Sequence, residues 1–367
     1  MKPWKSPLAS TFAVSLVLLV AVGGWLLTDP NTSRSDALKT GGLAGGAVVA
    51  LYALWLNDRR RRVEEDRQEI ERRRHELEMR RTEQDRDRIS DERFAKAVEL
   101  LGNDADQVRV GAMHALAGVA RSRKEYTQTV LDVLCSYLRR PFEHDRYAPE
   151  DTDGKPPEAR SGTVDQEREL QVRLTAQRLV LDLLPEAKDG DAPSYDLDLT
   201  GAVLEYFDLS GRKIGSLLMR YARLHSSTNL SDCEITGRAY FTAAGTVHGR
   251  LIGPFRCRRT TFHDRAWFSG THFGADADFA GTTFGGETTF KYAVFTADAS
   301  LKDVSFGASL DLHQTRFDGH TDLSFATLPK GVELYNTIVN PDRHLQLPGW
   351  ELETITDGRT RLTMPIR

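Results

Sequence analysis

The sequence has few cysteines and no excess of either charge. Its 367 residues include three cysteines, and 49 basic residues stand against 53 acidic ones, so the net charge is −4. Three cysteines cannot build a disulfide scaffold and are typical of a reducing compartment. A general nucleic-acid binder needs a basic excess, so we expect no nucleic-acid partner.

The sequence also lacks the common motifs of catalysis and metal binding. It contains no G-x-x-x-x-G-K-[ST], G-x-S-x-G or H-E-x-x-H pattern, and no C-x-x-C or Cys–His pair. Asp276, Asp278, Asp298 and Asp303 do not form a D-x-[DN]-x-[DN]-G calcium loop, so a solvated surface is their expected role. We predict no enzyme, no cofactor and no metal site.

Long apolar runs are confined to the first 56 residues. Leu8 to Leu27 carries no charge, and about twenty helical residues span the roughly 30 Å hydrocarbon core of a bilayer. Leu43 to Leu56 reaches a similar length with Ala37 to Gly42, despite Lys39. Residues 1–56 are therefore predicted to form a transmembrane helical hairpin. A cleaved signal peptide is the alternative for the first run, although no A-x-A site follows it.

Basic residues flank the hairpin on one side. They are Lys2 and Lys5 before the first run, and Arg59, Arg60, Arg61 and Arg62 after the second. Because basic flanks stay on the cytoplasmic side of a membrane, both chain ends are predicted to be cytoplasmic. The expected location is the inner (cytoplasmic) membrane, with the lipid bilayer as one partner.

Four glycines of the second run are spaced for close helix packing. Gly41, Gly42, Gly45 and Gly46 form two overlapping small-x-x-x-small pairs. This spacing favours contact within the hairpin or between copies of the chain, so a homo-oligomer is one interpretation. The high frequency of glycine in membrane helices is the other.

Residues 57–93 are dominated by Arg, Glu and Asp, and predict a charged helical spacer. Val63, Ile70 and Leu77 recur every seven residues, but charged residues such as Arg73 and Arg80 occupy the partner positions of a coiled-coil seam. A solvated helix about 50 Å long is the better interpretation.

Residues 94–190 carry the apolar spacing of a small helical domain, similar to a HEAT-type helix pair. The first helix face is Val108, Ala112, Ala115, Leu116 and Val119, and the second is Val130, Val133, Leu134, Tyr137 and Leu138. A third helix is predicted from Val164 to Leu184, after a flexible loop at 141–163. Lone His114 and His144 are assigned to solvent or core packing.

After Ser194 a large apolar residue recurs every five or six positions. One series is Phe262, Phe273, Phe284, Phe295, Phe306, Phe317 and Leu328, and the other is Phe268, Phe279, Phe290, Leu301, Leu312, Leu323 and Leu334. Two residues before each of these centres lies a small or β-branched residue, with Leu310 the exception. Such a period fits neither a helix nor an alternating strand, but it fits a coil that turns a corner once per unit.

This pattern resembles the pentapeptide-repeat family, whose consensus is A-(D/N)-L-x-x with Leu or Phe at the centre. The resemblance covers about Leu197 to Leu334; Gly201-Ala202-Val203-Leu204 and Tyr221-Ala222-Arg223-Leu224 lie close to the consensus, and ADADFAGTTFGGETTF looks like an eleven-residue variant. It implies a right-handed quadrilateral parallel β-helix of about six and a half coils. Tyr240, Thr246 and Cys257 depart from the consensus at centres.

The fold class is thus mixed: a transmembrane hairpin and helical region, then the β-helix at 195–334. Residues 335–367, with Trp350, are predicted to cap the open end. Cys135, Cys233 and Cys257 are assigned structural roles, and the Phe ladder is assigned to core packing.

Three functions follow from these observations. We expect a membrane-anchored, non-enzymatic scaffold that presents the β-helix to an unknown protein partner. The alternative from the family resemblance is a DNA mimic that binds DNA gyrase or topoisomerase. Mimicry needs a strongly negative face, whereas Leu197 to Leu334 carries 15 acidic and 14 basic residues, a net of −1. An enzyme is the third class and the one with the least support.

Overall fold

The computed structural model describes residues 7–27, 34–147, 162–245, 250–251, 253–355 and 360–363. Its helices are α1 (Pro7–Leu27), α2 (Arg34–Leu100), α3 (Asp106–Ser122), α4 (Thr127–Leu138) and α5 (Val164–Leu183), with 3₁₀ turns at Lys124–Tyr126 and Asp145–Tyr147. Two compact units divide the chain at residues 1–88 and 89–367. A helical N-terminal region is therefore followed by the repeat segment, as predicted.

Helix α2 is longer than any helix predicted from the sequence. It runs without interruption through the second apolar run and the charged spacer, two segments that the sequence analysis treated separately. No proline and no glycine occurs between Gly46 and Leu100, and the charged part is rich in Arg and Glu, which favour helix. A change from apolar to charged residues does not by itself end a helix, so the second apolar run and the charged spacer form one continuous helix.

Helices α3, α4 and α5 pack together at the start of the second unit. Thr163 begins α5 with a capping box, in which its hydroxyl accepts the Gln166 backbone N–H and the Gln166 side chain accepts the Thr163 N–H. The buried Arg173 of α5 donates to the Leu138 and Arg140 carbonyls at 3.0 and 2.7 Å. These carbonyls end α4 and lack helical partners, so the guanidinium satisfies them.

The repeat segment folds into a parallel β-solenoid of about six turns. Most of its strands have two residues, because the chain turns a corner after each one. The strands are β1 (Leu197–Asp198), β2 (Val203–Asp208), β3 (Lys213–Ile214), β4 (Leu217–Leu218), β5 (Arg223–Asn229), β6 (Glu234–Ile235), β7 (Ala239–Tyr240), β8 (Arg250–Leu251), β9 (Phe255–Arg256), β10 (Thr261–Phe262), β11 (Ala266–Trp267), β12 (His272–Phe273), β13 (Ala277–Asp278), β14 (Thr283–Phe284), β15 (Thr288–Thr289), β16 (Val294–Phe295), β17 (Ala299–Ser300), β18 (Ser305–Phe306), β19 (Leu310–Asp311), β20 (Arg316–Phe317), β21 (Thr321–Asp322), β22 (Val332–Glu333), β23 (Ile338–Val339), β24 (Leu345–Gln346), β25 (Glu351–Thr354) and β26 (Thr360–Thr363).

Four sheets form the faces of the solenoid, named here in the order in which one coil visits them. Face 1 is β1-β4-β7-β11-β15-β19-β22, face 2 is β8-β12-β16-β20-β23-β26-β25, face 3 is β2-β5-β9-β13-β17-β21-β24, and face 4 is β3-β6-β10-β14-β18. Equivalent residues of successive coils pair in register: Phe262 pairs with Ile235 on one side and with Phe284 on the other. Four sheets agree with the predicted quadrilateral coil.

Two of the four corners need a left-handed backbone. The residues at these corners have φ between +49° and +70°. After face 1 they are Gly201, Tyr221, Ala243, Gly270, Tyr292, Gln314 and Asn336, and after face 3 they are Gly211, Asp232, Arg259, Gly281 and Asp303. A turn of this kind requires positive φ at its third residue. Non-glycine residues there cost about 1 kcal/mol each, which the ladder of the next coil offsets.

The inward phenylalanine rings stack on one another from coil to coil. Phe268 lies between Phe241 and Phe290, with centroid distances of 4.7 and 4.8 Å and interplanar angles of 4° and 8°. Phe273, Phe295 and Phe317 form a second column at 4.6 and 4.8 Å. One hydrophobic core continues from α3–α5 into these columns.

The repeat is interrupted before its predicted end at Leu334. Leu328 is 58% exposed, whereas the sequence analysis placed it among the inward centres. Phe325 instead packs edge-on against Phe306 at 4.9 Å, and against Trp350 at 5.7 Å. Pro329 removes a backbone donor directly after Leu328, and face 4 ends at β18. Faces 1, 2 and 3 continue in parallel through β22, β23 and β24.

The parallel ladder continues past the predicted boundary at 334, through β23 and β24, and the residues after Gln346 close the open end. Strands β25 and β26 pair antiparallel, and β26 pairs antiparallel with β23 of face 2. Leu362 of β26 is fully buried, and Trp350 packs against the core. An unpaired end of a solenoid exposes backbone donors and acceptors, so this hairpin covers part of the edge.

We expect Phe268→Ala to lower the free energy of unfolding by about 4 kcal/mol, because a fully buried ring is lost from a stack that cannot collapse. Tyr335→Ala, at a ring that is 65% exposed, is the control and should cost less than about 1 kcal/mol. Urea unfolding followed by far-UV circular dichroism measures both. Equal losses would contradict the stacked core.

Gly319 tests how closely the coils approach at a corner. A Cβ on Gly319 would lie 2.3 Å from the Ala297 carbonyl oxygen of the adjacent coil, whereas one on Gly331 would meet nothing within 4 Å. Gly319→Ala should therefore destabilise the protein by about 2 kcal/mol, and Gly331→Ala should not destabilise it. Thermal midpoints of the two variants, measured side by side, decide between these outcomes.

Candidate functional site

The repeat centres themselves lie inside the solenoid and cannot meet a partner. The twelve predicted core residues are each no more than 3% exposed: Phe262, Phe268, Phe273, Phe279, Phe284, Phe290, Phe295, Leu301, Phe306, Leu312, Phe317 and Leu323. Function must therefore come from the outward positions of the four faces or from the helices.

Inward threonine hydroxyls form hydrogen bonds with carbonyl groups in the interior of the solenoid. The Thr271, Thr315 and Thr337 hydroxyls donate to the carbonyls of Phe241, Phe290 and Leu312 at 2.7–2.9 Å. Each accepting carbonyl belongs to a centre residue of face 1. A buried carbonyl or hydroxyl group without a hydrogen-bond partner costs about 1–3 kcal/mol. The hydrogen bond satisfies both groups, so a threonine can occupy an inward position.

The three cysteines are buried and free. Cys233 donates to the Leu209 carbonyl at 2.9 Å, in the same way as the inward threonines. Burial raises the pKa of the Cys135 and Cys233 thiols to about 12, and it also raises the pKa of Cys257. A thiol needs a lowered pKa to react, so these positions favour packing over redox chemistry.

The densest polar cluster joins the segment after α4 to β2 and β5, the first two strands of face 3. We define the junction cluster as His144, Arg146, Tyr147, Glu167, Glu205, His225 and Ser226. Its centre is the Glu205 carboxylate, which is 4% exposed. Tyr147 Oη donates to Glu205 Oε2 at 2.5 Å, Arg146 Nη1 to Oε1 at 3.2 Å and Ser226 Oγ to Oε1 at 3.3 Å. A buried carboxylate persists here because three donors surround it.

Aromatic contacts hold the same segment in place. The Tyr147 ring stacks on the His225 ring at 3.7 Å and 12°. Phe142 packs with Leu170 and Val203 in a small apolar cluster, and its carbonyl accepts from Arg223 Nη2 at 3.0 Å. The segment that leaves α4 is thus fixed to the solenoid by both apolar and charged contacts.

His144 is buried in this cluster rather than exposed. Its Nδ1 accepts the Arg146 backbone N–H at 3.1 Å, and its Nε2 lies 3.3 Å from Glu167 Oε1 without hydrogen-bond geometry. A Cβ on Gly162 would lie 2.5 Å from the imidazole ring. Of the two roles assigned from the sequence, His144 has the core role and His114 the exposed one.

Burial controls the protonation of the two stacked rings. Burial, followed by the nearby Arg223 charge, lowers the pKa of His225 to about 4. Burial and the hydrogen bond to Glu205 raise the pKa of Tyr147. Both groups are therefore neutral near pH 7, while the Glu205 carboxylate supplies the charge that Arg146 meets.

A shallow acidic groove runs along face 3. It has a volume of about 310 Å³, and its titratable lining residues are Asp276, Asp278, Asp298, Asp322, His320 and His344. Asp278 pairs with Arg258, and Asp298 Oδ1 accepts the His320 backbone N–H at 3.0 Å. The His320 and His344 rings lie 6.1 Å apart on adjacent coils, a proximity that the 24-residue spacing alone did not indicate. In the part of the chain that the structure describes, no three His, Cys, Asp or Glu residues form a metal-binding group.

The N-terminal helices contact each other through one of the predicted glycines. Ser15 Oγ donates to the Gly45 carbonyl at 2.7 Å, and a Cβ on Gly45 would meet Ser15 at 3.3 Å. A Cβ on Gly42 or Gly46 would meet nothing within 4 Å. The surroundings of Gly41 lie outside the described residues, as do Lys2 and Lys5.

The predicted basic flank continues α2. Arg59 and Arg60 are exposed, and the Arg59 guanidinium lies 5.4 Å from the Trp55 ring. Arg61 and Arg62 are helical, with side chains outside the description. Within the described residues, no helix has both the length and the apolar character that a membrane crossing requires. The transmembrane hairpin therefore stays a prediction from the sequence.

Comparison of the chain with family models, with curated proteins and with solved structures found no match. The pentapeptide-repeat resemblance therefore rests on the repeat pattern, with which the solenoid is compatible.

The junction cluster generates a prediction about pH. Because the folded-state pKa of His225 is depressed to about 4 from its usual 6.5, its contribution is complete above pH 6.5 and is lost as the pH falls towards 4. The free energy of unfolding should decrease by about 3 kcal/mol through this window, at about 1.4 kcal/mol for each unit of the pKa difference. His225→Phe keeps an aromatic ring on Tyr147 and should remove that part of the decrease, whereas the exposed-site control His114→Phe should not. Identical pH profiles for both variants would contradict this role of His225.

Proposed function

We propose that the protein is a membrane-anchored, non-enzymatic scaffold whose β-solenoid is presented in the cytoplasm to a protein partner. The observation that carries the proposal is the contrast between the two ends of the chain. The N-terminal helices expose apolar side chains, while the solenoid buries its apolar side chains and exposes charged and hydroxyl groups.

The anchor is supported by the surface of α1 and the first part of α2. Large apolar side chains of the two uncharged runs are 63–75% exposed: Val17, Val20, Leu43, Leu51 and Leu54. A continuous apolar surface of this kind is rare on a water-soluble monomer and typical of a membrane or protein contact. The ends of the run from Leu8 to Leu27 lie outside the described side chains, so the full run is an argument from sequence.

The scaffold function is supported by the rigidity and regularity of the outward faces. Equivalent outward residues of successive coils are about 4.8 Å apart, the spacing of parallel strands, and they are held by a core of stacked rings. Such a surface keeps its shape when a partner binds, so little conformational entropy is lost. Self-association through Gly42 and Gly46, which face away from α1, is part of this proposal.

Location and topology can be measured together. The full chain should remain in membranes after carbonate washing, and residues 57–367 expressed alone should be recovered in the soluble fraction. A phosphatase fused after Arg367, active only outside the cytoplasm, should stay inactive, while a fluorescent protein at the same position should fluoresce. Recovery of the full chain in the soluble fraction, or an active phosphatase, would contradict the anchor.

The partner can be sought with a proximity-labelling enzyme fused at the same position. Membrane-associated proteins should be labelled by the full chain and lost when residues 1–56 are removed. Gyrase or topoisomerase subunits as the main labelled proteins would instead favour the DNA-mimic function.

A further inference from the structure

Two pairs of arginines in the repeat segment differ in their carboxylate partners. Arg258 pairs with Asp278, and Arg259 pairs with Asp232 at 2.7 Å. Arg220 and Arg238 are far apart in sequence, yet both lie on face 1, and neither has a carboxylate partner among the described residues.

An aromatic pair connects the two unneutralised arginines. The Arg220 guanidinium lies 4.3 Å and that of Arg238 5.9 Å from the centroid of the Tyr240 ring. Trp267, on the next coil, has its ring 4.8 Å from that of Tyr240. Strand register places Leu218, Tyr240 and Trp267 next to one another on β4, β7 and β11. Leu218 and Trp267 are partly exposed, whereas Tyr240 is 5% exposed, with Arg220 and Trp267 against its ring. The sequence analysis counted Tyr240 as a centre, but Phe241 is the inward residue of this strand and stacks on Phe268.

These five residues, Arg220, Arg238, Leu218, Tyr240 and Trp267, form what we name the face 1 patch. Its accessible groups are the two guanidinium groups and the partly exposed side chains of Leu218 and Trp267. Arg, Trp and Tyr are the residue types that contribute most at protein interfaces. A guanidinium without a carboxylate partner can donate two parallel hydrogen bonds to an incoming carboxylate.

The face 1 patch is short, which limits the partner. On one side Asp198 is paired with Arg139 at 2.5 Å, and on the other Arg265 is paired with Glu287 at 3.5 Å. Further along the face the outward residues are Asp311 and Glu333. The unneutralised stretch covers three coils, or roughly 10 Å at the spacing of parallel strands. A nucleic acid presents charge over a much longer distance, so this patch favours a short anionic segment.

We propose that the face 1 patch is the docking surface of the solenoid, and that it binds an acidic peptide segment of a partner protein. Two carboxylates of the segment pair with Arg220 and Arg238, and an apolar side chain between them packs on the partly exposed Trp267 ring. This inference rests on the proposed scaffold function and names the chemistry of its partner.

The test uses the purified full chain in detergent and a fluorescein-labelled peptide of about twelve residues. The peptide repeats glutamate–glutamate–leucine–glycine, and the control peptide has glutamine in place of glutamate. Fluorescence anisotropy should give a Kd at least about tenfold lower for the glutamate peptide, and the difference should shrink as salt is added.

Two charge-matched double variants locate the binding site. R220E/R238E should weaken glutamate-peptide binding at least about tenfold, whereas R256E/R343E should change it less than about twofold. Arg256 and Arg343 are exposed and lie away from the face 1 patch, so the second variant controls for net charge. R220Q/R238Q, which removes charge without reversing it, should give an intermediate Kd. Thermal midpoints show whether each variant is folded.

Three results would overturn the inference. They are equal binding of the two peptides, equal weakening by the two glutamate double variants, and tighter binding of a duplex DNA of about 20 base pairs that is lost in R220E/R238E. If one of these results is obtained while the chain still stays in the membrane and still labels the same partners, the docking surface is rejected but the scaffold function is not. Soluble recovery of the full chain with intact peptide binding would reject the anchor but not the docking surface.

Discussion

Register between successive coils is the constraint on which the rest of this protein depends. A two-residue strand has almost no stability of its own, so each strand exists only because the coil on either side supplies ladder hydrogen bonds and a ring to stack on. Phe268 illustrates both parts, since it is held between Phe241 and Phe290 and its backbone N–H donates to the Thr289 carbonyl at 2.8 Å. The four flat faces follow from this register, because equivalent outward residues are brought into columns.

A stack of this kind has two ends that need different solutions. At the first coils, α4 and α5 continue the hydrophobic core, and the segment after α4 is fixed to Glu205 and His225. At the last coils, the antiparallel pair β25–β26 covers face 2, and Phe325 and Trp350 close part of the core. The first solution places a charged group in a buried site and surrounds it with donors. The second uses mainly backbone pairing and aromatic packing.

The outer surface shows why local charge in a sequence is a poor guide to a binding surface. Arg258 and Arg259 are adjacent in the chain and conspicuous, but Asp278 and Asp232 neutralise them from neighbouring coils. Arg220 and Arg238 are eighteen positions apart, and they approach one ring because they lie on successive coils of the same face. Charge on a solenoid is therefore read along columns rather than along the chain.

The period of the repeat by itself determined the parallel coil and most of its inward residues, because a large residue every five or six positions has few other ways to be buried. It did not determine the end of the ladder, which runs past the predicted residue 334 to β24. The boundaries of α5 were also predictable, since Thr163 and Gln166 form a capping box and Pro185 follows. Tertiary structure alone decided which outward residues are neighbours. The junction around Glu205 and the ion pairs of Arg258 and Arg259 depend on contacts between residues twenty or more positions apart. A repeat period contains no information on such contacts, because it specifies what points inward and leaves the outward positions free.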